Sequence, residues 1–175
     1  KSSVLHALLG IVPGTFEELL WNGEKTEDPF SLFQLPNAAV CLQNSHLLNA
    51  TIRENLTLGR DFSDESCLEA LNDCCIAEEV MHMPDGLGTL AGENGIMLSG
   101  GQKQRILLAR MLLTHPRLYL LDDATSALDG KTERKILETL RERIRRDNGA
   151  AVIVSDSDNV KAMADRILSI GGNAS

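Results

Sequence analysis

Apolar residues gather in four short runs, separated by longer stretches where apolar and charged positions recur at helical spacing. The runs are Ala38 to Leu42, Leu118 to Asp122, Ala151 to Val154 and Arg166 to Ile170. Each is bounded by turn or helix-start residues. Continuous rather than alternating apolar character predicts strands buried on both faces, as in a parallel sheet covered by helices. Between the second and third runs, Ile136, Leu137, Leu140 and Ile144 share one face of a helix predicted over Gly130 to Arg146, with charges on the other face. A shorter helix is predicted from Asp158 to Ala164. This alternation predicts an α/β fold with a mostly parallel sheet and helices on both faces. The stretch Ser45 to Ser99 is different: helix-rich and acidic (Asp61, Asp64, Glu65, Glu69, Asp73, Glu78, Glu79), it closes in a Gly-rich loop from Asp85 to Gly95. It is expected to form an inserted α-helical subdomain. Phe16 to Trp21 is expected to be a peripheral strand that turns at Asn22-Gly23. No internal repeat is visible.

Composition narrows the class. A chain of 175 residues with 43% hydrophobic content can bury a core as one domain, or at most two small ones, which excludes disordered and low-complexity classes. No apolar run approaches the ~20 residues that span a bilayer. The apolar stretch after Lys1-Ser2-Ser3 is broken at Gly10 and Pro13 and lacks a cleavage site, so it does not read as a signal peptide. A net charge of −8 with 3% aromatic residues argues against a nucleic-acid partner. Cys41, Cys67, Cys74 and Cys75 fit no zinc spacing and no disulfide framework, and are read as reduced thiols in a cytosolic setting.

Two motifs carry chemistry. In Leu98-Ser99-Gly100-Gly101-Gln102, Ser99 is a good N-cap and Gln102 completes a capping box three residues on. The two glycines leave bare backbone N–H groups at a helix N-terminus, which is an anion site. The bland alternative is an ordinary capped helix. Further on, Leu118-Tyr119-Leu120-Leu121-Asp122-Asp123 is an apolar strand that delivers a carboxylate at its C-terminal tip, the edge where open α/β sheets bind ligands. Many strands end in Asp, so alone this pattern says little. Ala124-Thr125-Ser126-Ala127-Leu128-Asp129 follows as a turn into the next helix.

Taken together, LSGGQKQRILLARMLL and LYLLDDATSALD closely resemble the nucleotide-binding domain of an ATP-binding cassette (ABC) transporter. LSGGQ is similar to that family's signature, LYLLDD to its Walker B strand and SALD to its D-loop. Cys41-Leu42-Gln43-Asn44 followed by Thr51-Ile52-Arg53-Glu54-Asn55-Leu56 resembles its Q-loop and the start of its helical subdomain, in the wording of the exporter branch. Gly92-Glu93-Asn94-Gly95 matches the loop that meets the transmembrane domain in exporters. The resemblance runs nearly the whole length. It implies a P-loop NTPase-like fold, with residues 1–44 and 109–175 as catalytic core and 45–108 as the helical subdomain with the signature. It implies ATP and Mg²⁺ as cofactors, and a second cassette bound head to tail, to whose ATP Ser99, Gly100, Gly101 and Gln102 would donate, with Asp129 nearby. It also implies transmembrane domains fused upstream and a place on the cytoplasmic face of a membrane. Of the P-loop pattern G-x-x-x-x-G-K-[ST] only the end is present: Lys1 is expected to meet the β- and γ-phosphates and Ser2 to ligate Mg²⁺, with Ser3 following. Gln43 and Asp122, the latter through water, are the other implied Mg²⁺ partners. The N-terminal β-subdomain, the adenine-stacking aromatic and the central P-loop strand of the family are missing. The chain is therefore expected to be a piece of a cassette that binds ATP weakly or not at all by itself.

Two departures bear on activity. The presumed general base after Walker B is normally Glu, and here it is Asp123, one methylene shorter. Misplacing a general base costs up to roughly 10²–10⁴-fold. The family's switch histidine, counted back from Asp165, falls on Asp156, which would repel a γ-phosphate rather than donate to it. His6, His46, His82 and His115 fall elsewhere and read as surface or packing residues. The chain is thus expected to belong to an exporter ATPase whose own site is slow while its signature serves a different partner. Alternatives are a homodimer with two slow sites, a non-hydrolysing regulatory cassette, or a soluble non-transport ATPase. A chromosome-structuring relative would carry long coiled coils, and a translation-factor relative a second cassette; neither is seen.

Overall fold

Three of the four apolar runs lie side by side as one parallel sheet. The computed structural model describes residues 1–13, 15, 17–25 and 32–170. The chain starts with α1 (Ser2–Leu8) and a small antiparallel hairpin of β1 (Leu20–Trp21) and β2 (Glu24–Lys25). The hairpin turns at Asn22-Gly23, where φ is +54° and +86°; two positive values in a row are what Asn-Gly supplies in a tight hairpin turn. The expected strand is thus present at Leu20–Trp21, and Phe16 lies outside the described residues.

The sheet follows, with β3 (Ala38–Cys41), β4 (Leu118–Asp122) and β5 (Ala150–Val154) in the order β3-β4-β5, all parallel. All five residues of β4 are buried. Tyr119 and Leu121 enter one core, Leu118 and Leu120 the other, as the two-residue period of a strand requires. The larger core lies under α5 (Gly100–Leu112) and α6 (Gly130–Arg146) and continues into the insert. The smaller core packs Leu5 of α1 against Ala38, Leu118 and Leu120. Helices therefore cover both faces, which is why β4 needs no polar side.

The insert carries α2 (Ile52–Thr57), α3 (Asp64–Asp73) and α4 (Ala77–Met81), then single 3-10 turns at Gly86–Gly88 and Glu93–Gly95. Thr51 starts α2 with a capping box: its Oγ1 accepts from Glu54 N at 3.1 Å, and its own N–H donates to Glu54 Oε2 at 2.8 Å. Asn55 is fully buried and fastens the preceding loop, accepting from Leu48 N at 2.7 Å and donating to Leu48 O and Thr51 O, both at 3.0 Å. Arg110 of α5 donates to the same Asn55, through Nη2 to Oδ1 at 2.9 Å and through Nε to its carbonyl at 2.6 Å. Arg143 of α6, 4% exposed, ion-pairs with Asp73 and Glu69 of α3. These polar ties fasten the insert to the helices that cover the sheet.

The last helix, α7 (Asp158–Met163), ends one residue before the expected boundary. The expected strand over Arg166–Ile170 does not form: the segment is irregular, and Ile167, Leu168 and Ile170 are 59%, 71% and 46% exposed. A strand forms only where its backbone pairs with a neighbouring ladder. β5 ends the described sheet, and this segment does not pair with it. No helix among the described residues is long and apolar enough to cross a membrane.

Candidate functional site

The register of the sheet decides which loops meet. Cys41 pairs with Leu121, and Asp122 with Val154, so the loops after β3, β4 and β5 leave from one edge. That C-terminal edge is where open α/β sheets place ligands. Leu5 anchors α1 over the smaller core, which brings the start of α1 to the same edge.

Three contacts draw the candidate residues together. Ser2 Oγ donates to Asp122 Oδ1 at 2.7 Å, although 120 residues separate them. Lys1 Nζ ion-pairs with Asp156, just beyond β5. Gln43 Nε2 donates to Asp123 Oδ2 at 3.4 Å, a long bond. Asp123 itself sits in the left-handed region with φ +50°, which Asp tolerates better than most residues. Its N–H donates to Val154 O at 2.9 Å, extending the ladder by one residue before the chain turns away. Asp122 is 1% exposed, whereas the Asp156 side chain is 87% exposed. The hydrogen bond and charge of Lys1 hold the Asp156 carboxyl below the usual range. Ser3 is exposed on α1.

His6, read as a surface or packing residue, lies beside this group. Its Nε2 lies 3.2 Å from Asp122 Oδ2, off the line of a hydrogen bond, and is buried without a hydrogen-bond partner among the described residues. The signal was available, because His6 follows Ser2 at i+4 and so shares its helix face.

The glycine-rich motif forms a second group. Ser99 caps α5: its Oγ accepts from Gln102 N at 3.2 Å, and its N–H donates to Gln102 Oε1 at 2.9 Å. Gln102 Nε2 also donates to Glu79 Oε2 at 3.0 Å; the hydrogen bond from Arg105 is the main cause holding the Glu79 carboxyl below its ordinary value, with Gln102 adding to it. Gly100 is exposed, and a Cβ at Gly101 would come within 3.3 Å of Ala127 O. The turn after β4 is bound to α5 through Gln104, which accepts from Ala127 N at 2.8 Å and donates to Ser126 Oγ at 3.1 Å. Asp129 caps α6, accepting from Lys131 N at 3.1 Å and Thr132 N at 3.0 Å; the hydrogen bond from the Thr132 side chain, then these backbone bonds, hold its acid below the ordinary value. Among the described residues, no hydrogen bond or ion pair joins Ser99–Gln102 to Lys1, Ser2, Asp122 or Asp156.

The donor set has a clear chemical character. No cluster of three or more His, Cys, Asp or Glu side chains that could hold a metal occurs among the described residues. One buried carboxylate bonded to one hydroxyl suits Mg²⁺, which keeps its waters and takes few protein ligands beside phosphate oxygens. The four cysteines are free; burial pushes the Cys41 thiol up to about 12 and the Cys74 thiol well above its ordinary value, so neither is a nucleophile.

Known proteins share these features. The ABC transporter family model matches residues 1–126. The chain is 38% identical over 170 residues to the mitochondrial iron-sulfur clusters transporter ATM1 of Saccharomyces cerevisiae, covering 96% of this chain and 24% of that protein. It is 37% identical over 174 residues to the ATP-dependent lipid A-core flippase of Photobacterium profundum, covering 96% of this chain and 29% of that protein. The chain thus spans less than a third of the length of these curated relatives. A solved bacterial Atm1-family ABC exporter with ATP bound superposes with a TM-score of 0.78 at 33% identity, covering 89% of this chain and 27% of that one. With a family match over most of its length and the parallel sheet of an exporter's P-loop NTPase domain, the chain belongs to the ABC transporter family.

Proposed function

We propose that the chain is the ATP-binding part of an ABC exporter, on the cytoplasmic face of a membrane, and that it couples ATP binding and hydrolysis to transport through transmembrane domains. The supporting observation is the meeting of Lys1, Ser2, Gln43, Asp122, Asp123 and Asp156 at one sheet edge, with Ser2 and Asp122 hydrogen-bonded at 2.7 Å. In this reading Lys1 binds the β- and γ-phosphates of ATP. Ser2, Gln43 and, through water, Asp122 hold Mg²⁺. Bound there, the ion neutralises charge on the phosphate oxygens. Asp123 occupies the place of the general base and orients the attacking water, with its carboxylate steadied by Gln43. Two features make this site slow: the base is short by one methylene, and Asp156 puts a negative charge where the γ-phosphate lies.

The exposed start of α5 does different work. Ser99, Gly100 and Gly101 present a hydroxyl and two glycine amides, with Gln102 closing the cap, at the N-terminus of a 13-residue helix, an anion-binding end. They complete the ATP site of a second cassette packed head to tail, with Asp129 beside them. The chain then forms an asymmetric pair in which its signature supports the faster site. A second reading, a regulatory cassette that binds without hydrolysing, is favoured by the pairing of Lys1 with Asp156.

Steady-state ATP turnover by the full-length protein, alone and with its candidate partner cassette, separates these readings. Slow turnover alone and faster turnover with the partner is the expected result. Brisk turnover alone that survives Asp123→Asn overturns the slow-site reading, and no ATP binding in either preparation overturns the function.

A further inference from the structure

α6 carries a carboxylate into the core. Glu133 is 6% exposed and lies one turn before Ile136 and Leu137, at the head of the buried stripe. Three side chains from two separate segments donate to it. Thr125 Oγ1 donates to Oε1 at 2.7 Å. Ser157 Oγ and Asn159 Nδ2 both donate to Oε2, each at 2.7 Å. Thr125 stands two residues beyond Asp123, in the turn after β4. Ser157 follows Asp156 directly.

The donors are themselves organised around this carboxylate. Ser157 N–H donates to Ser155 Oγ at 3.0 Å, Asn159 N–H donates to Ser157 Oγ at 3.2 Å, and Asn159 Nδ2 also reaches Gly130 O at 3.2 Å. Burial pushes the Glu133 acid up, but the bonds from Asn159, Thr125 and Ser157 outweigh it and hold the group below its ordinary value. An ionised carboxylate is acceptor-only, which matches three donors and no acceptor around it. Packing alone would be met by an apolar residue of similar size. What packing does not explain is that both sets of donors adjoin an acidic position of the candidate site.

We propose that Glu133 is a positioning residue for the nucleotide site. Its two oxygens clamp the segment Ser155–Asn159 to the turn Ala124–Ser126 and so set Asp156 and Asp123 relative to each other. The inference rests on the function proposed above. A displaced base costs rate rather than substrate binding, and misplacement by about 1 Å costs as much as 10²-fold.

Glu133→Gln in the full-length protein tests this, because it keeps the volume but turns one acceptor into a donor facing donors. Two readouts are needed: amide hydrogen exchange, and kcat against KM for ATP. The clamp is supported if exchange across 155–159 speeds at least tenfold while 118–122 stays protected, and kcat falls about tenfold with KM within twofold. The inference is overturned if exchange across 155–159 is unchanged, or if 118–122 loosens equally, which marks a purely structural residue. Should Glu133→Gln fail to fold, Asn159→Ala removes a single donor and is judged by the same outcomes. Absence of ATP binding and turnover in the wild-type protein overturns the proposed function itself; normal turnover beside unchanged exchange in Glu133→Gln overturns the clamp alone.

Discussion

Lys1 and Asp156, 155 residues apart in sequence, are ion-paired at the C-terminal edge of the sheet. In the proposed function Lys1 meets the ATP phosphates; in this structure its partner is a carboxylate whose acid the lysine holds below its ordinary value. An anionic ligand entering here meets a cation already satisfied and a negative charge beside it.

Asp156→Asn is therefore expected to tighten ATP binding by the full-length protein. It removes one negative charge near the phosphates and frees Lys1, and for so exposed a group the gain is about three- to tenfold in Kd. Calorimetric titration with ATP checks this; an unchanged or weaker Kd would show that Asp156 does not face the nucleotide.

Arg143 gives a stability test. It is buried and pairs with Asp73, whose side chain is 21% exposed, and with Glu69, whose side chain is 62% exposed. Arg143→Ala strands Asp73 and cuts the tie between α6 and α3, and is expected to cost about 3 kcal/mol. Glu69→Ala is expected to change stability by less than about 1 kcal/mol, as exposed partners do. Urea unfolding of both variants decides; equal losses would contradict this ranking.

Tyr119 points the other way. It is fully buried in the larger core, and its hydroxyl has no hydrogen-bond partner among the described residues. Burial also pushes its pKa up, so it stays neutral. Tyr119→Phe removes an unsatisfied polar atom and keeps the ring, so it is expected to be neutral or to stabilise by about 1 kcal/mol. A lower melting temperature would reveal a partner for that hydroxyl.

The acid limb of stability reports on Glu133 and Glu54. Each is held below the ordinary Glu value: Glu133 because the bonds from Asn159, Thr125 and Ser157 outweigh burial, Glu54 by the bonds from Thr51. A lowered folded pKa adds stability that is complete above the unfolded value of about 4.5 and is lost as pH falls through the folded value. Melting temperature is thus expected to drop on acidification below about pH 4.5, and to drop less steeply in Glu133→Gln. Parallel curves for the two proteins would contradict this assignment.

Sequence pattern alone located β3, β4, β5 and α6 to within a residue or two, because each buries a continuous run or a stripe that only one period fits. It placed Arg166–Ile170 in a strand on the same grounds and was wrong there, since strand formation depends on a neighbouring edge that no local pattern reports. The approach of Lys1 to Asp156 and of Ser2 to Asp122 was not legible from spacing; the resemblance to a family singled out those residues, and the fold brings them together. Glu133 was passed over because a charged residue at the edge of an amphipathic helix reads as solvated. Its i+3 and i+4 relation to Ile136 and Leu137 put it on the buried side.

In the proposed function this chain is an ATPase cassette whose own site is slowed at Asp123 and Asp156. The direct measurement is steady-state ATP turnover by the full-length protein against its Asp123→Glu/Asp156→His double variant. Slow turnover is expected in the wild type and a rise of at least tenfold in the variant, from a base that reaches further and a side chain that donates to the phosphate. Wild-type turnover as fast as that of the double variant would contradict it.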